Sequence, residues 1–144
     1  MADRHPDQSL IALGIQQPWA ELILRGDKTI EVRSLNTRQR GPIYLYTSKK
    51  PSESPLALDA ANARGIDLSA LPLGRIVGTV EIVDSRACTP ADAQAACLPT
   101  SAVDGQFGWQ LANPCRFTEP LTVRFLPYGV WFYPFQRRNA GVRR

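Results

Sequence analysis

The chain has 144 residues, 44% hydrophobic and 21% charged, with a formal net charge of +4. That length predicts one domain with one sizeable core, and no apolar run approaches the roughly 20 residues of a membrane helix. A single histidine, His5, and three widely spaced cysteines, Cys88, Cys97 and Cys115, argue against Ser-His-Asp or Cys-His catalysis and against a zinc site. The expectation is reduced, packed thiols, no metal and no cofactor, with any chemistry left to Lys, Arg, Asp, Glu, Tyr, Ser or Thr. The first nine residues are polar and lack a signal-type apolar stretch. They read as a flexible tail over 1–9, ahead of a domain over 10–135, in a cytoplasmic protein that is monomeric by default.

Residues 10 to 16 read as a buried first strand. Pro18 suits the first position of a helix, Ala20, Leu22, Ile23 and Leu24 continue it, and Gly26 is a natural stop. From Thr29 the period changes to two, with Ile30 and Val32 on one side and Thr29, Glu31 and Arg33 on the other. A strand so placed presents a carboxylate and a guanidinium on one face, with Lys28 in the turn before it. Two strand positions span roughly 7 Å, so Glu31 and Arg33 are able to touch one small ligand.

Residues 34 to 41 form a polar loop containing Arg38 and Arg40, and Pro42 to Ser48 a strand. Tyr44 and Tyr46 on that strand are a candidate stacking surface for a base, or else residues half-buried in a barrel wall. A loop with Lys49 and Lys50 follows, then a short helix over about 56–64 and a long strand over about 74–86 interrupted by Gly78. A glycine inside a strand predicts a bulge, a bend or a close backbone approach. Thr89-Pro90-Ala91-Asp92 starts a helix reaching about Cys97. Pro99 to Gly105 reads as a loop, 107–111 as a strand, Asn113-Pro114 as a turn of the chain, and 120–125 and 130–135 as the last strands. Six or seven strands without βαβ alternation predict an α+β fold, a mostly antiparallel barrel with two or three short inserted helices.

Charge is unevenly spread. No acid lies between Glu31 and Glu53, where Arg33, Arg38, Arg40, Lys49 and Lys50 are basic, and none follows Glu119, where Arg124, Arg137, Arg138, Arg143 and Arg144 are basic. Such a stripe favours an anionic partner, nucleic acid first, although a solvated face and a basic tail over 136–144 give the same composition.

The segment Gly26-Asp27-Lys28-Thr29-Ile30-Glu31-Val32-Arg33 matches Gly-x-Lys-x-x-Glu-x-Arg. With Gln17-Pro18-Trp19-Ala20 before it, and Gly74 to Val80 and Phe107-Gly108-Trp109 after it, the chain resembles an ASCH domain of the PUA-like superfamily. The resemblance implies the same barrel, with Lys28, Glu31 and Arg33 lining a cleft. It also implies RNA or a nucleotide as partner; with no apolar run long enough to span a bilayer, no membrane partner is expected.

Physical chemistry supports a joint role for these three. Arg33 suits phosphate, Glu31 accepts from the exocyclic amine of cytosine or adenine, and Trp19, Tyr44 or Trp109 would stack on the base. Arg38, Arg40 and Lys49 are the further candidates for backbone contact. The competing reading is an ion-pair brace at the helix-strand corner, a poor way to add stability.

Some members of the family resemble an amidohydrolase of N4-acetylcytidine, in which the signature lysine works with a threonine three residues later. Here that position is Glu31, so the mechanism does not transfer intact. A hydrolase on this cleft, an amidohydrolase or a ribonuclease, would use Lys28, Thr29 and Glu31. Lys28 would serve as base only if its pKa fell from about 10.4 toward 7 or 8, with Glu81 or Asp84 as a possible second carboxylate. The expected function is thus an RNA- or nucleotide-binding module, the alternative that hydrolase, and the second alternative a protein-interaction module of transcription or translation.

Overall fold

The computed structural model describes residues 4–137. Its strands are β1 (Ala12–Ile15), β2 (Ile30–Arg33), β3 (Gly41–Thr47), β4 (Ile76–Ala87), β5 (Phe107–Leu121) and β6 (Trp131–Phe132). They form one sheet in the order β2-β5-β4-β3-β1-β6. Only β1 and β3 run parallel; every other neighbouring pair is antiparallel. Helices α1 (Trp19–Arg25), α2 (Pro55–Ala63), α3 (Ala93–Ala96) and α4 (Thr100–Val103) fill the connections.

The sheet curls round a core of Leu13, Ile15, Ile43, Leu45, Val80, Ile82, Trp109 and Leu111, and α1 adds Ala20, Ile23 and Leu24 to that core. The architecture is the expected α+β one, but the barrel is only approximate. β2 and β6 are edges with no backbone ladder between them. Curvature comes from β4 and β5, whose register shifts repeatedly along their length. At Gly78 the two strands touch: a Cβ built there would lie 2.2 Å from the Cys115 carbonyl oxygen and 2.9 Å from Leu24 Cδ2. Only glycine permits that approach.

Several features differ from the sequence reading. Asn113-Pro114 does not turn the chain; β5 continues through it. Ala112 opposes Glu81 and Cys115 opposes Thr79, so two residues bulge against one. Asn113 takes φ +53°, its Nδ2 donates to Glu81 Oε2 (2.9 Å), and Pro114 needs no ladder N–H there. Downstream, 122–130 forms no strand and β6 is only two residues long. The expected loop 99–105 contains the single-turn α4.

Tyr44 and Tyr46 are not a stacking surface. Both lie on the outer face of β3, under a cluster with Ala12, Ile76, Phe132 and Phe135. Tyr44 is 0% exposed, and its hydroxyl accepts from the Asp7 backbone N–H and hydrogen-bonds His5 Nδ1. Residues 5–7 therefore lie against the sheet, with the His5 ring 4.7 Å from that of Phe117. Among the described residues no helix is long and apolar enough to cross a membrane. Arg138, Arg143 and Arg144 of the expected basic tail lie outside the described residues.

Candidate nucleic-acid interface

The site begins at the end of α1. Gly26 takes φ +83°, and the N–H groups of Gly26 and Asp27 close on the carbonyls of Ile23 and Leu22. That stop reverses the chain within two residues. Lys28 N–H also bonds Leu22 O (3.0 Å), and Thr29 N–H bonds Ala95 O (2.8 Å), which starts β2 against α3.

Strand β2 is turned inside out relative to an ordinary barrel strand. Ile30 packs outward on Ala93, Ala96 and Val103, with Val32 beside it. Glu31 stands opposite Trp109 on β5, and directly opposed residues share a face. Since Trp109 belongs to the barrel core, Glu31 and Arg33 point inward, at the seam where the sheet fails to close.

Side chains bridge that seam. Arg33 Nη2 donates to the Gly14 carbonyl of β1 (3.2 Å). Its guanidinium lies 5.6 Å from the Trp109 ring, and Trp109 stacks on Trp131 of β6 at 5.7 Å and 16°. The ladder with β6 pairs Ala12 and Leu13; just beyond it Gly14 N–H bonds Val130 O (2.8 Å), while the Gly14 carbonyl accepts from Arg33.

Three charges meet here. Arg33 Nε donates to Glu31 Oε2 (2.6 Å). Lys28 Nζ lies 3.9 Å from Glu31 Oε1, donates to Ala96 O (2.7 Å) and sits 4.8 Å from the Trp19 ring. Lys28 and Glu31 are buried, at 3% and 5% exposure; the Arg33 side chain is a quarter exposed. Burial pulls the Lys28 pKa below its ordinary value, and Glu31 opposes that shift. Among the described residues, no hydrogen bond fills Glu31 Oε1 or Arg33 Nη1. The cluster thus keeps an acceptor and several donors in reserve.

The other predicted residues divide. Trp19 borders the cluster and keeps part of its surface open. Trp109 is buried, with Arg33 and Trp131 against its ring and its Nε1 donating to Leu35 O (3.1 Å); it supports Arg33 rather than offering a free face. Arg40 is committed elsewhere, to Thr37 O, Gln39 O and Ser85 Oγ, with Asp84 at 3.7 Å. Arg38 is exposed on that same loop and Tyr44 lies behind the sheet, so neither is brought to the cluster.

Thr29 is exposed and lines a separate cavity of about 160 Å³ with Lys28, Asn113 and Pro114. No hydrogen bond joins its hydroxyl to Lys28 or Glu31 among the described residues. Glu81 and Asp84 are engaged by Asn113 and Arg40 respectively and do not join the cluster.

Trp131 is the residue that sequence reasoning missed. Trp19 and Trp109 border the three charges, and Trp131 backs Trp109; nothing in the sequence around Trp131 marks that pairing.

The ASCH domain family model matches residues 13–121. Activating signal cointegrator 1 from Homo sapiens is 38% identical over 79 residues, which are 50% of this chain and 14% of that protein. The same protein from Mus musculus is 37% identical over 79 residues. The chain thus spans about 14% of the length of the curated relatives it matches. The crystal structure of ASCH from Zymomonas mobilis superposes with a TM-score of 0.60 at 13% identity, covering 88% of each chain. A tyrosine-to-phenylalanine mutant of that protein gives 0.57 at 12% identity, covering 85% of this chain and 88% of its own. At those identities the likeness is one of fold. The matched signature, the fold and the family model agree that the chain belongs to the ASCH domain family.

Proposed function

We propose that this protein binds RNA, or a nucleotide of it, by taking one unstacked base into the seam beside Lys28, Glu31 and Arg33. The ASCH family is generally linked to RNA binding. The observation that carries the reading is the inward-facing carboxylate Glu31, buried in a barrel yet with Oε1 left without a hydrogen bond. Among the described residues no buried side-chain nitrogen or oxygen lacks a hydrogen bond, so Oε1 keeps access to solvent, and a ligand donor can take the place of water on it. In this account Glu31 Oε1 accepts from an exocyclic amine, Arg33 Nη1 and Lys28 Nζ donate to ring or carbonyl acceptors, and Trp19 supplies the apolar wall. Glu31→Gln swaps half of that pattern while keeping its shape. Binding of a panel of nucleotides by calorimetry tests this: a changed base preference is expected, and an unchanged one counts against it.

A second reading, hydrolysis on the same cleft, has one observation in its favour. Burial weakens the hold of Lys28 on its proton, the direction in which a lysine must move to serve as a general base. Without a hydrogen bond between Thr29 and Lys28, the reaction would run through water held by Glu31 rather than through Thr29. Turnover of acetylated cytidine or of RNA, abolished in Lys28→Ala, is the outcome that reading requires. A third role, as a protein-interaction module, would need an exposed apolar patch at the seam in place of the charged cluster.

A further inference from the structure

The exposed basic residues fall into two groups. Arg25, Arg40, Arg64, Arg86 and Arg116 each hold a carboxylate at 2.8–3.7 Å. Lys49, Lys50 and Arg75 are equally exposed, and like Arg4, Arg38, Arg124 and Arg137 they have no ion-pair partner among the described residues; what sets these three apart is that the fold brings them together. Glu53 lies three residues past Lys50, and Glu119 two residues before the Leu121 that opposes Ile76. Neither pairs with them.

These three cations share one rigid lip. Thr47 N–H bonds Arg75 O (2.8 Å), Gly74 N–H bonds Thr47 O (2.7 Å), and Arg75 N–H bonds Thr47 Oγ1 (3.2 Å). The Lys49 stem lies against Gly74, where a Cβ would come within 3.4 Å of its Cγ. The lip is also stapled to the rim of the cleft. Ser48 N–H bonds Ile15 O (3.0 Å) and Ser52 N–H bonds Gln17 O (2.7 Å), so Lys49 and Lys50 run beside the 15–17 segment that leads into Trp19. Ile15 follows Gly14, whose carbonyl holds Arg33. Like charges fixed together on hydrogen-bonded backbone without acids repel one another, and a polyanion relieves that repulsion.

We propose that Lys49, Lys50 and Arg75 hold the phosphates next to the base that enters the seam, so that the ligand class is single-stranded RNA rather than a free nucleoside or mononucleotide. The proposal rests on the base-binding reading of the Lys28–Glu31–Arg33 cleft. Lys and Arg on such a track supply sequence-independent affinity, while the pocket supplies preference.

The test is fluorescence anisotropy of the full chain with a labelled single-stranded RNA of about ten nucleotides, across a salt series. In wild type log affinity falls with log salt. In the triple variant K49A/K50A/R75A the slope becomes shallower by about 2, at roughly 0.7 per phosphate contact on a single strand, and affinity at low salt drops at least about tenfold. The melting temperature stays within a degree or two, because the side chains removed are exposed. An unchanged slope and affinity in the triple variant would overturn the proposal. So would a mononucleotide binding wild type as tightly as the RNA, or poly-glutamate displacing the RNA equally well. Glu31→Gln in the same assay separates the two ideas. A changed base preference at an unchanged slope supports both, whereas a lost slope in the triple variant with no effect of Glu31→Gln removes the cleft reading and leaves the phosphate lip.

Discussion

Two buried glutamates, Glu21 on α1 and Glu31 on β2, each lie between two cations, and they are satisfied to different degrees. Glu21 has both oxygens filled: Arg116 grips it through Nη1–Oε1 (2.8 Å) and Nη2–Oε2 (2.9 Å), and Arg25 Nε adds a second bond to Oε2 (2.8 Å). Its cations sit near the surface, with side chains 40% and 48% exposed. Glu31 has one oxygen filled, by Arg33, and faces an almost fully buried ammonium at 3.9 Å. The first arrangement ties α1 to β5 and has little left to offer a ligand. The second keeps its charges in a low-dielectric seam with hydrogen-bonding capacity unspent. Ion-pair count alone does not separate a brace from a binding site; the state of the last lone pair does.

The largest effect is expected at the brace. Glu21→Ala removes three charge-assisted bonds and should cost about 3 kcal/mol in urea unfolding, with base preference untouched. Next is Glu31→Gln, expected to change discrimination among nucleotides by about 1.4 kcal/mol, or tenfold, at under about 1 kcal/mol of stability. A Glu31→Gln loss as large as that of Glu21→Ala would make the two sites the same kind of object.

Smaller effects come from pH. The folded-state pKa of Lys28 is depressed by burial below its ordinary 10.5, so the unfolded chain binds that proton more tightly than the native one. Stability from this group therefore rises as pH climbs through the lowered pKa, and the rise is complete above 10.5. Lys28→Met should lack it. Tyr44 and Tyr46, whose pKa values burial raises, contribute the opposite slope in both proteins and cancel in the wild-type minus variant difference; Cys88 and Cys97, also raised by burial, are partly lowered by the Lys28 charge, so the difference reads Lys28 together with those two thiols.

At the acid end, burial pushes the Glu21 pKa up, but Arg116 and Arg25 more than offset it and leave it below 4.5. Its contribution is present above 4.5 and is lost as pH falls through the lowered value. Glu21→Gln should flatten that part of the acid arm. A second part remains with Asp92, held at about 2 by Arg86 and the Thr89 N–H.

What was legible in the sequence was what short-range chemistry decides. Gly26 as a left-handed stop and the parity that separates Ile30 and Val32 from Glu31 and Arg33 are local facts, and the structure keeps both. Pro18 came out one position early, at the cap of α1 rather than inside it. Tyr44 was not legible: its parity is that of a half-exposed strand residue, and only the distant Phe117 and Phe135 decide that its outward face is covered. Asn113-Pro114 carries the same signals for a chain reversal as for a bulge, and the long partner β4 selects the bulge. The inward direction of Glu31 depends on Trp109 across the ladder, and the Arg33 bridge depends on the Gly14 carbonyl of the distant β1. Neither pairing leaves a trace in the octapeptide itself.

The central claim is that Glu31 reads a ligand and Glu21 does not. Its most direct test is one side-by-side measurement: binding of a panel of short single-stranded RNAs differing in one base, with thermal melts, for wild type, Glu21→Gln and Glu31→Gln. The account predicts that Glu31→Gln reorders base preference with a melt close to wild type, while Glu21→Gln melts lower and keeps the wild-type order. An unchanged order in Glu31→Gln, with a melt lowered as far as that of Glu21→Gln, would contradict it and make the Lys28–Glu31–Arg33 cluster a second brace.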